Sequence, residues 1–74
     1  MEFKISYVEF WNKVGHHFGL SLQELTYRNH YCFRDKPEIE EELGLEVNGG
    51  FLNIICFKVV DEQKFFLARI KYGI

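Results

Sequence analysis

The chain has little of several residue types, and each shortage excludes a class of protein. Its 74 residues contain one proline, two cysteines and three residues that are serine or threonine. A single proline and a charged fraction of 27% argue against a disordered or low-complexity chain. Two cysteines are too few for a secreted disulfide scaffold, so we expect Cys32 and Cys56 to be reduced core residues. A Cys32–Cys56 disulfide is the alternative if their strands are neighbours.

Long hydrophobic runs are also missing. No apolar segment approaches the roughly 20 residues that a membrane-spanning helix requires. The first residues, MEFKIS, include Glu2 and lack the apolar region of a signal peptide. We therefore expect one cytoplasmic domain over residues 1–74, with no membrane partner.

Motifs for metal binding and catalysis are absent as well. The sequence has no CxxC, no HxxxH and no glycine-rich phosphate loop. The histidines and cysteines could form a metal site only from scattered positions, and Cys32 is the better candidate for a reactive thiol because arginines lie near it in sequence. We predict no metal, no cofactor and no catalytic residue, and expect a protein that is not an enzyme. The side chains weighed for metal binding are His16, His17, His30, Cys32 and Cys56.

Aromatic residues, in contrast, are abundant. They make up 18% of the chain, with eight Phe, four Tyr and one Trp. Most of them should fill the core, and any surplus would lie on the surface as a binding patch. Trp11, Tyr27 and Tyr31 are candidate interface anchors, because exposed Trp and Tyr side chains dominate many protein interfaces.

The N-terminal third predicts a strand followed by an amphipathic helix. Residues 1–5 alternate between apolar and charged side chains, which is typical of an edge strand. Ser6 and Glu9 have the spacing of a capping box, which predicts a helix over about residues 7–17.

Two signals conflict in the next segment. Ser21 and Glu24 again have capping-box spacing, which indicates a helix start. The alternation of Leu25, Tyr27 and later aromatic residues favours a strand instead. We predict one helical turn at 22–25, followed by a strand at 26–33.

The segment after it is acidic and helical in pattern. Asp35 is a suitable N-cap, Pro37 suits a first helical turn, and Gly44 is a suitable end, so we predict a short helix over about 37–43. Asn48 and Gly49 are a typical hairpin-turn signal, so we expect 45–47 to pair with the start of the next strand.

The last third predicts the framework of the fold. Two apolar runs, 51–60 and 64–72, flank a short polar break and are expected to form a C-terminal β-hairpin, with 51–60 as a central strand. The fold class is therefore α+β, with a small antiparallel sheet of three to four strands on which the two predicted helices pack.

Charge is unevenly distributed, and this suggests a function. Residues 35–46 contain six acids and one base, a net charge of −5, whereas the remaining residues sum to +3. A solvated helix face is the plain interpretation. The functional one is a protein-binding module, of the kind that phages and mobile elements encode, which inhibits a nucleic-acid-binding protein by mimicking phosphates. The candidate acidic residues are Glu38, Glu40, Glu41, Glu42 and Glu46.

Two alternatives remain open. With 64–72 as a strand, Arg69 and Lys71 share one sheet face with Phe65, and together with Lys58 they could bind nucleic acid, although the isoelectric point near 5.9 predicts weak attraction to phosphate. The chain could also be a structural subunit that forms a homodimer through an exposed strand edge.

Overall fold

One antiparallel sheet of three strands organises the protein. The computed structural model describes the backbone of residues 1–27 and 29–74 and the side chains of residues 1–26 and 32–74. The spatial order of the strands is first, third, second, so the third strand is central. The strands are β1 (Glu2–Ser6), β2 (Leu45–Phe51) and β3 (Ile54–Val59).

Helices form most of the rest of the described chain. The α+β class is confirmed. The described helices are more numerous than the two predicted, and the number of described strands is three, the lower of the two predicted values. The helices are α1 (Tyr7–Lys13), a 3₁₀ helix (Gly15–Phe18), α2 (Leu22–Tyr27), α3 (Asn29–Asp35), α4 (Pro37–Leu43) and α5 (Glu62–Tyr72). None of the helices in this described part of the chain has the length and apolar character needed to cross a membrane.

The sheet has one buried face and one open face. β1 pairs with β3 so that Phe3 lies opposite Phe57 and Ile5 lies opposite Ile55, and these side chains face the core. Glu2 and Lys58, which also pair, lie on the open face. The prediction of an N-terminal edge strand is confirmed, and the central position of the strand within 51–60 is confirmed as well.

Three phenylalanines from different elements form the centre of the core. Phe10 of α1, Phe33 of α3 and Phe57 of β3 are each at most 1% exposed. Their ring centroids are 5.5–5.8 Å apart in all three pairs. At these separations aromatic pairs gain a specific contribution in addition to burial, so these rings tie two helices to the sheet.

The first helix begins as its capping signal predicts and ends earlier than expected. Ser6 accepts a hydrogen bond from the backbone N–H of Glu9 at 3.1 Å. The sequence predicts a single helix over 7–17. The α-helix instead stops at Lys13, and the chain continues as the 3₁₀ helix. Gly15 is buried there, and a Cβ on it would lie 3.4 Å from the Trp11 ring.

The predicted strand at 26–33 is wrong, because the described residues of this segment are helical. Ser21 caps α2 by accepting from the N–H of Glu24 at 3.0 Å. Leu25 and Phe33 face the core from α2 and α3, so the apolar residues that suggested alternation are buried at helical spacing. The capping signal was therefore the better guide than the alternation.

The acidic helix has the predicted bounds, 37–43, but a different N-cap residue. Lys36 occupies the N-cap position without a side-chain cap, whereas Asp35 is the last residue of α3. Pro37 stands in the first turn as predicted, and Gly44 ends the helix with a left-handed φ of 67°.

The hairpin turn lies four residues beyond the predicted Asn48-Gly49. Those two residues are inside β2, where the pairing with β3 shifts between Val47 and Gly50. The chain reverses instead at Leu52 and Asn53. Glycines inside a strand often mark such an irregularity, which here allows a register shift rather than a reversal.

The predicted C-terminal hairpin 51–60/64–72 is wrong in its second strand, because residues 64–72 lie in α5. Asp61 caps this helix by accepting from the N–H of Lys64 at 3.1 Å. Gly73 ends it with a φ of 73°, and its N–H donates to the carbonyl of Arg69. The hairpin of the fold is formed by β2 and β3 instead.

Candidate protein-interaction surface

Helix α5 has apolar side chains on two opposite faces. Phe65 and Ala68 face the core and are 5% and 4% exposed. Phe66, Leu67 and Ile70 are 68%, 61% and 73% exposed. Successive residues of an α-helix are rotated by about 100°, which places these three on the side away from the core. We call Phe66, Leu67 and Ile70 the outer stripe.

Contacts along its whole length fix how α5 is rotated. Near its start, the Phe65 ring lies 4.9 Å from that of Phe3 on β1. Near its end, the Tyr72 ring lies 6.4 Å from that of Phe18, and the carbonyl of Gly73 accepts from Lys13 Nζ at 2.9 Å. Because α5 is held at both ends, the outer stripe must face away from the domain.

A groove separates α4 from α5 beside the outer stripe. Its volume is about 360 Å³. Gly44, which follows α4, is joined to the residues that precede α5, because its carbonyl accepts from the N–H groups of Val60 and Asp61. The groove has acidic residues on its α4 side, basic residues on its α5 side and an apolar floor. Its lining is Glu38, Glu41 and Glu42 from α4 and Lys64, Leu67, Ala68 and Lys71 from α5.

One ion pair crosses this groove. Lys71 Nζ donates to Glu42 Oε1 at 3.1 Å. This hydrogen bond and the charge of the carboxylate hold the pKa of Lys71 above its ordinary value of 10.5. In the described part of the chain, Glu38 and Glu41 have no ion-pair partner within 4.0 Å. These two carboxylates are therefore available to an incoming cation.

Arg69 lies on the flank of α5 away from α4. Its guanidinium is 5.6 Å from the centroid of the Phe65 ring. With Phe66 and Ile70 it lines a shallow cleft of about 210 Å³. Among the described residues no carboxylate is within 4.0 Å of it, so this base is also available for an ion pair.

The five acidic residues proposed from the sequence do not share one surface. Glu38, Glu41 and Glu42 line the α4–α5 groove. Glu40 accepts from the backbone N–H of Val47 at 2.8 Å and so satisfies a donor of the edge strand β2. Glu46 lies on the open face of the sheet, opposite Lys58 in the strand register.

The candidate aromatic anchors have different positions. Trp11 is half-buried and packs against the core, and its Nε1 donates to the carbonyl of Leu20 at 2.8 Å. It therefore connects α1 to the loop before α2 and is not a free anchor. The side chains of Tyr27 and Tyr31 lie outside the described residues.

The residues proposed for nucleic-acid binding are separated by the fold. Lys58 is on the open face of the sheet, and Phe65 is in the core. Arg69 and Lys71 are on opposite flanks of α5, because only Lys71 lines the groove with α4. The shared sheet face required 64–72 to be a strand, and that segment is helical.

The cysteines and histidines are dispersed. Cys32 is buried and its Sγ donates to the carbonyl of Glu24 at 3.2 Å, whereas Cys56 is half-buried on β3. Neither cysteine is in a disulfide, so the alternative of a Cys32–Cys56 disulfide is not realised. Within the described side chains, no three residues of the types His, Cys, Asp and Glu come together in a way that could hold a metal ion. The side chain of His30 is not among them.

A second group of exposed apolar residues lies at the end of the β2–β3 hairpin. Phe51 and Leu52 are largely exposed, and Ile54 is partly so. Leu52 has a φ of 55°, a left-handed conformation that costs roughly 1–2 kcal/mol for a residue with a side chain.

The alternation of 64–72 does not reveal the outer stripe, because it places Phe66 and Ile70 on a strand. A helical reading of 61–73 would have shown apolar residues in two directions, of which only one can face a core. No protein-family model matches this chain, and the searches of curated proteins and of solved structures each returned no match.

Proposed function

We propose that this protein is a non-catalytic binding module whose contact surface is the outer stripe together with the acidic α4 side of the groove. The observation that carries the proposal is the exposure of Phe66, Leu67 and Ile70 on a helix whose opposite face is buried. Large apolar side chains have roughly 150–250 Å² each, so the stripe leaves on the order of 350 Å² in water. Patches of this size on a monomer are often interaction sites.

The charges beside the stripe indicate the chemistry of the partner. Glu38 and Glu41 border the groove without an ion-pair partner among the described residues. A partner that offers an apolar ridge flanked by basic side chains would bury the stripe and pair these carboxylates. Such an arrangement, with an apolar centre and a polar rim, is typical of protein interfaces.

The sequence-based hypothesis combines protein binding with phosphate mimicry, and we propose only the first of these. Mimicry requires a row of carboxylates on one surface, and Glu40 and Glu46 lie elsewhere. The nucleic-acid alternative is not favoured by any observed geometry, because Phe65 is buried and cannot stack on a base. The partner is therefore proposed to be a protein.

The proposal can be tested by capture with matched variants. Tagged protein, tagged Ile70→Glu and tagged Val8→Glu are compared as baits in a nuclease-treated lysate of the producing cells and against purified untagged protein. Val8 is the control because it is a largely exposed apolar residue on α1, away from the stripe. We expect a stoichiometric protein on the wild-type and Val8→Glu baits and none on Ile70→Glu.

Two results would contradict the proposal. One is equal recovery of the partner by Ile70→Glu, and the other is equal loss with Val8→Glu. Because both substitutions are at exposed sites, melting temperatures near that of the wild type show that the baits remain folded.

A further inference from the structure

We propose that the partner of this surface is a second copy of the same chain, an inference that rests on the protein-binding function proposed above. Because the groove has an apolar floor and an acidic α4 side, an apolar ridge that carries a basic side chain would be complementary to it. The protein has such a ridge on the far flank of α5, where Phe66, Arg69 and Ile70 are neighbours. Groove and ridge are thus two sides of one helix, which is the self-complementary arrangement that a two-fold dimer requires.

The rotation of residues around α5 determines how two copies would meet. Lys64 and Lys71 are on the flank beside α4, Phe66 and Ile70 are on the far flank, and Leu67 lies between the two flanks. With about 100° between successive residues, Leu67 is about 60° from Ile70. A two-fold axis running along α5 then brings α5 of the second copy onto Leu67. The same axis brings α4 of the second copy over Phe66 and Ile70.

The charges agree with this arrangement. Arg69 lines the same cleft as Phe66 and Ile70, the two residues that the second copy's α4 would cover, and that helix carries Glu38 and Glu41 on its groove side. In the single chain, neither Arg69 nor these two glutamates has an ion-pair partner among the described residues. Dimerisation would give Arg69 and the two glutamates ion-pair partners at the same time. Two-fold symmetry would repeat this contact on the other side of the interface.

The area involved predicts a weak dimer. The outer stripes of two copies contribute on the order of 700 Å² of apolar surface, from roughly 150–250 Å² per large side chain. The groove and its charged rim add to this, and weak or transient complexes typically bury less than about 1,200 Å² in total. Because interfaces of this size class are typically weak or transient, we expect a dissociation constant in the micromolar range or above.

The test is sedimentation equilibrium of the purified full chain from about 1 µM to about 500 µM, with charge-reversed variants. We expect the wild type and Val8→Glu to shift from one chain mass to two over this range. Arg69→Glu alone and the double variant Glu38→Lys/Glu41→Lys alone should each dissociate more readily, by at least tenfold, because each sets like charges against each other. An equimolar mixture of the two should recover the two-chain mass, since both symmetry-related contacts are then complementary.

The outcomes separate this inference from the proposed function. A wild-type mass of one chain throughout the range, or no recovery in the mixture, overturns the dimer. If the lysate experiment then yields another protein that Ile70→Glu fails to capture, the proposed surface stands without the dimer. A wild-type dimer that Ile70→Glu leaves intact would place the interface elsewhere and overturn the inference.

Discussion

The two faces of α5 are similar in composition and opposite in environment. One has Phe65 and Ala68 and is buried against β1 and α4, whereas the other has Phe66 and Ile70 and is largely exposed. Phe65 and Phe66 are adjacent and identical in chemistry, yet their side chains are 5% and 68% exposed. Apolar character therefore does not tell a core residue from an interface residue, because the difference lies in what packs against each face.

The largest expected effect is the difference in unfolding free energy between truncations of these two adjacent phenylalanines. Phe65→Ala should cost about 3–5 kcal/mol of unfolding free energy, because it removes a buried ring and leaves a cavity. Phe66→Ala should change the free energy of unfolding by no more than about 0.5 kcal/mol, because its side chain is in water. Urea unfolding at about 1 µM protein, where a micromolar dimer is largely dissociated, measures both.

Equal losses of unfolding free energy in the two variants would mean that Phe66 belongs to the core and that the outer stripe is not exposed. If Phe66→Ala loses stability only at high protein concentration, the Phe66 side chain is buried by association of two chains.

The next largest effect is expected from alanine substitutions at two glycines, and it tests how closely α4 packs on α5. Gly44→Ala and Gly73→Ala both place a side chain at a left-handed φ, which costs about 1–2 kcal/mol. A Cβ on Gly44 would also lie 2.4 Å from the backbone carbonyl of Asp61, whereas one on Gly73 meets no atom within 4 Å. We expect Gly44→Ala to be the more destabilising by about 1–3 kcal/mol, the usual cost of overpacking. Thermal or urea unfolding of the pair gives this difference directly, and equal losses would show that α4 can move away from α5.

The smallest effect concerns the rim between the two faces, where Lys71 pairs with Glu42. The pKa of Lys71 is raised in the folded chain by its hydrogen bond to Glu42, so the pair stabilises the fold fully below the ordinary value of 10.5. This contribution is lost as the pH rises through the raised pKa. We expect the wild type to melt slightly above Glu42→Gln at about pH 7 and at the same temperature as Glu42→Gln well above the raised pKa, with the difference at neutral pH reduced by salt. A difference that persists in strong salt would show that Glu42 acts in another way.

Local signals in the sequence predicted several helix boundaries, although the Asn48-Gly49 turn and the Asp35 N-cap were wrong. The capping serines at positions 6 and 21, Pro37 and Gly44 each mark a helix boundary in the structure. The same type of signal marks α5, since Asp61 precedes an acidic first turn, basic residues occupy the last turn, and Gly73 follows. Alternation outweighed these signals because a helix with two apolar faces has no single apolar stripe, and its sequence then resembles that of a strand.

The candidate site was predictable only in part. Glu38, Glu41 and Glu42 were identified from charge alone and line the groove. Glu40 belongs to the same acidic run and is used instead to satisfy the N–H of Val47, which depends on β2 passing beside α4. No property of that run distinguishes Glu40 from its neighbours until the strand is in place.

The sequence by itself determined the α+β class, the edge position of β1, the central position of β3 and the bounds of α4, because capping, turn residues and strand composition act over a few residues. Only the tertiary structure decided that Phe65 is inside and Phe66 outside, and that three glutamates share a groove with two lysines. These features depend on contacts between residues far apart in the chain, such as Phe65 with Phe3 and Gly44 with Asp61. Such contacts outweigh the preference of a short apolar run that could form either structure.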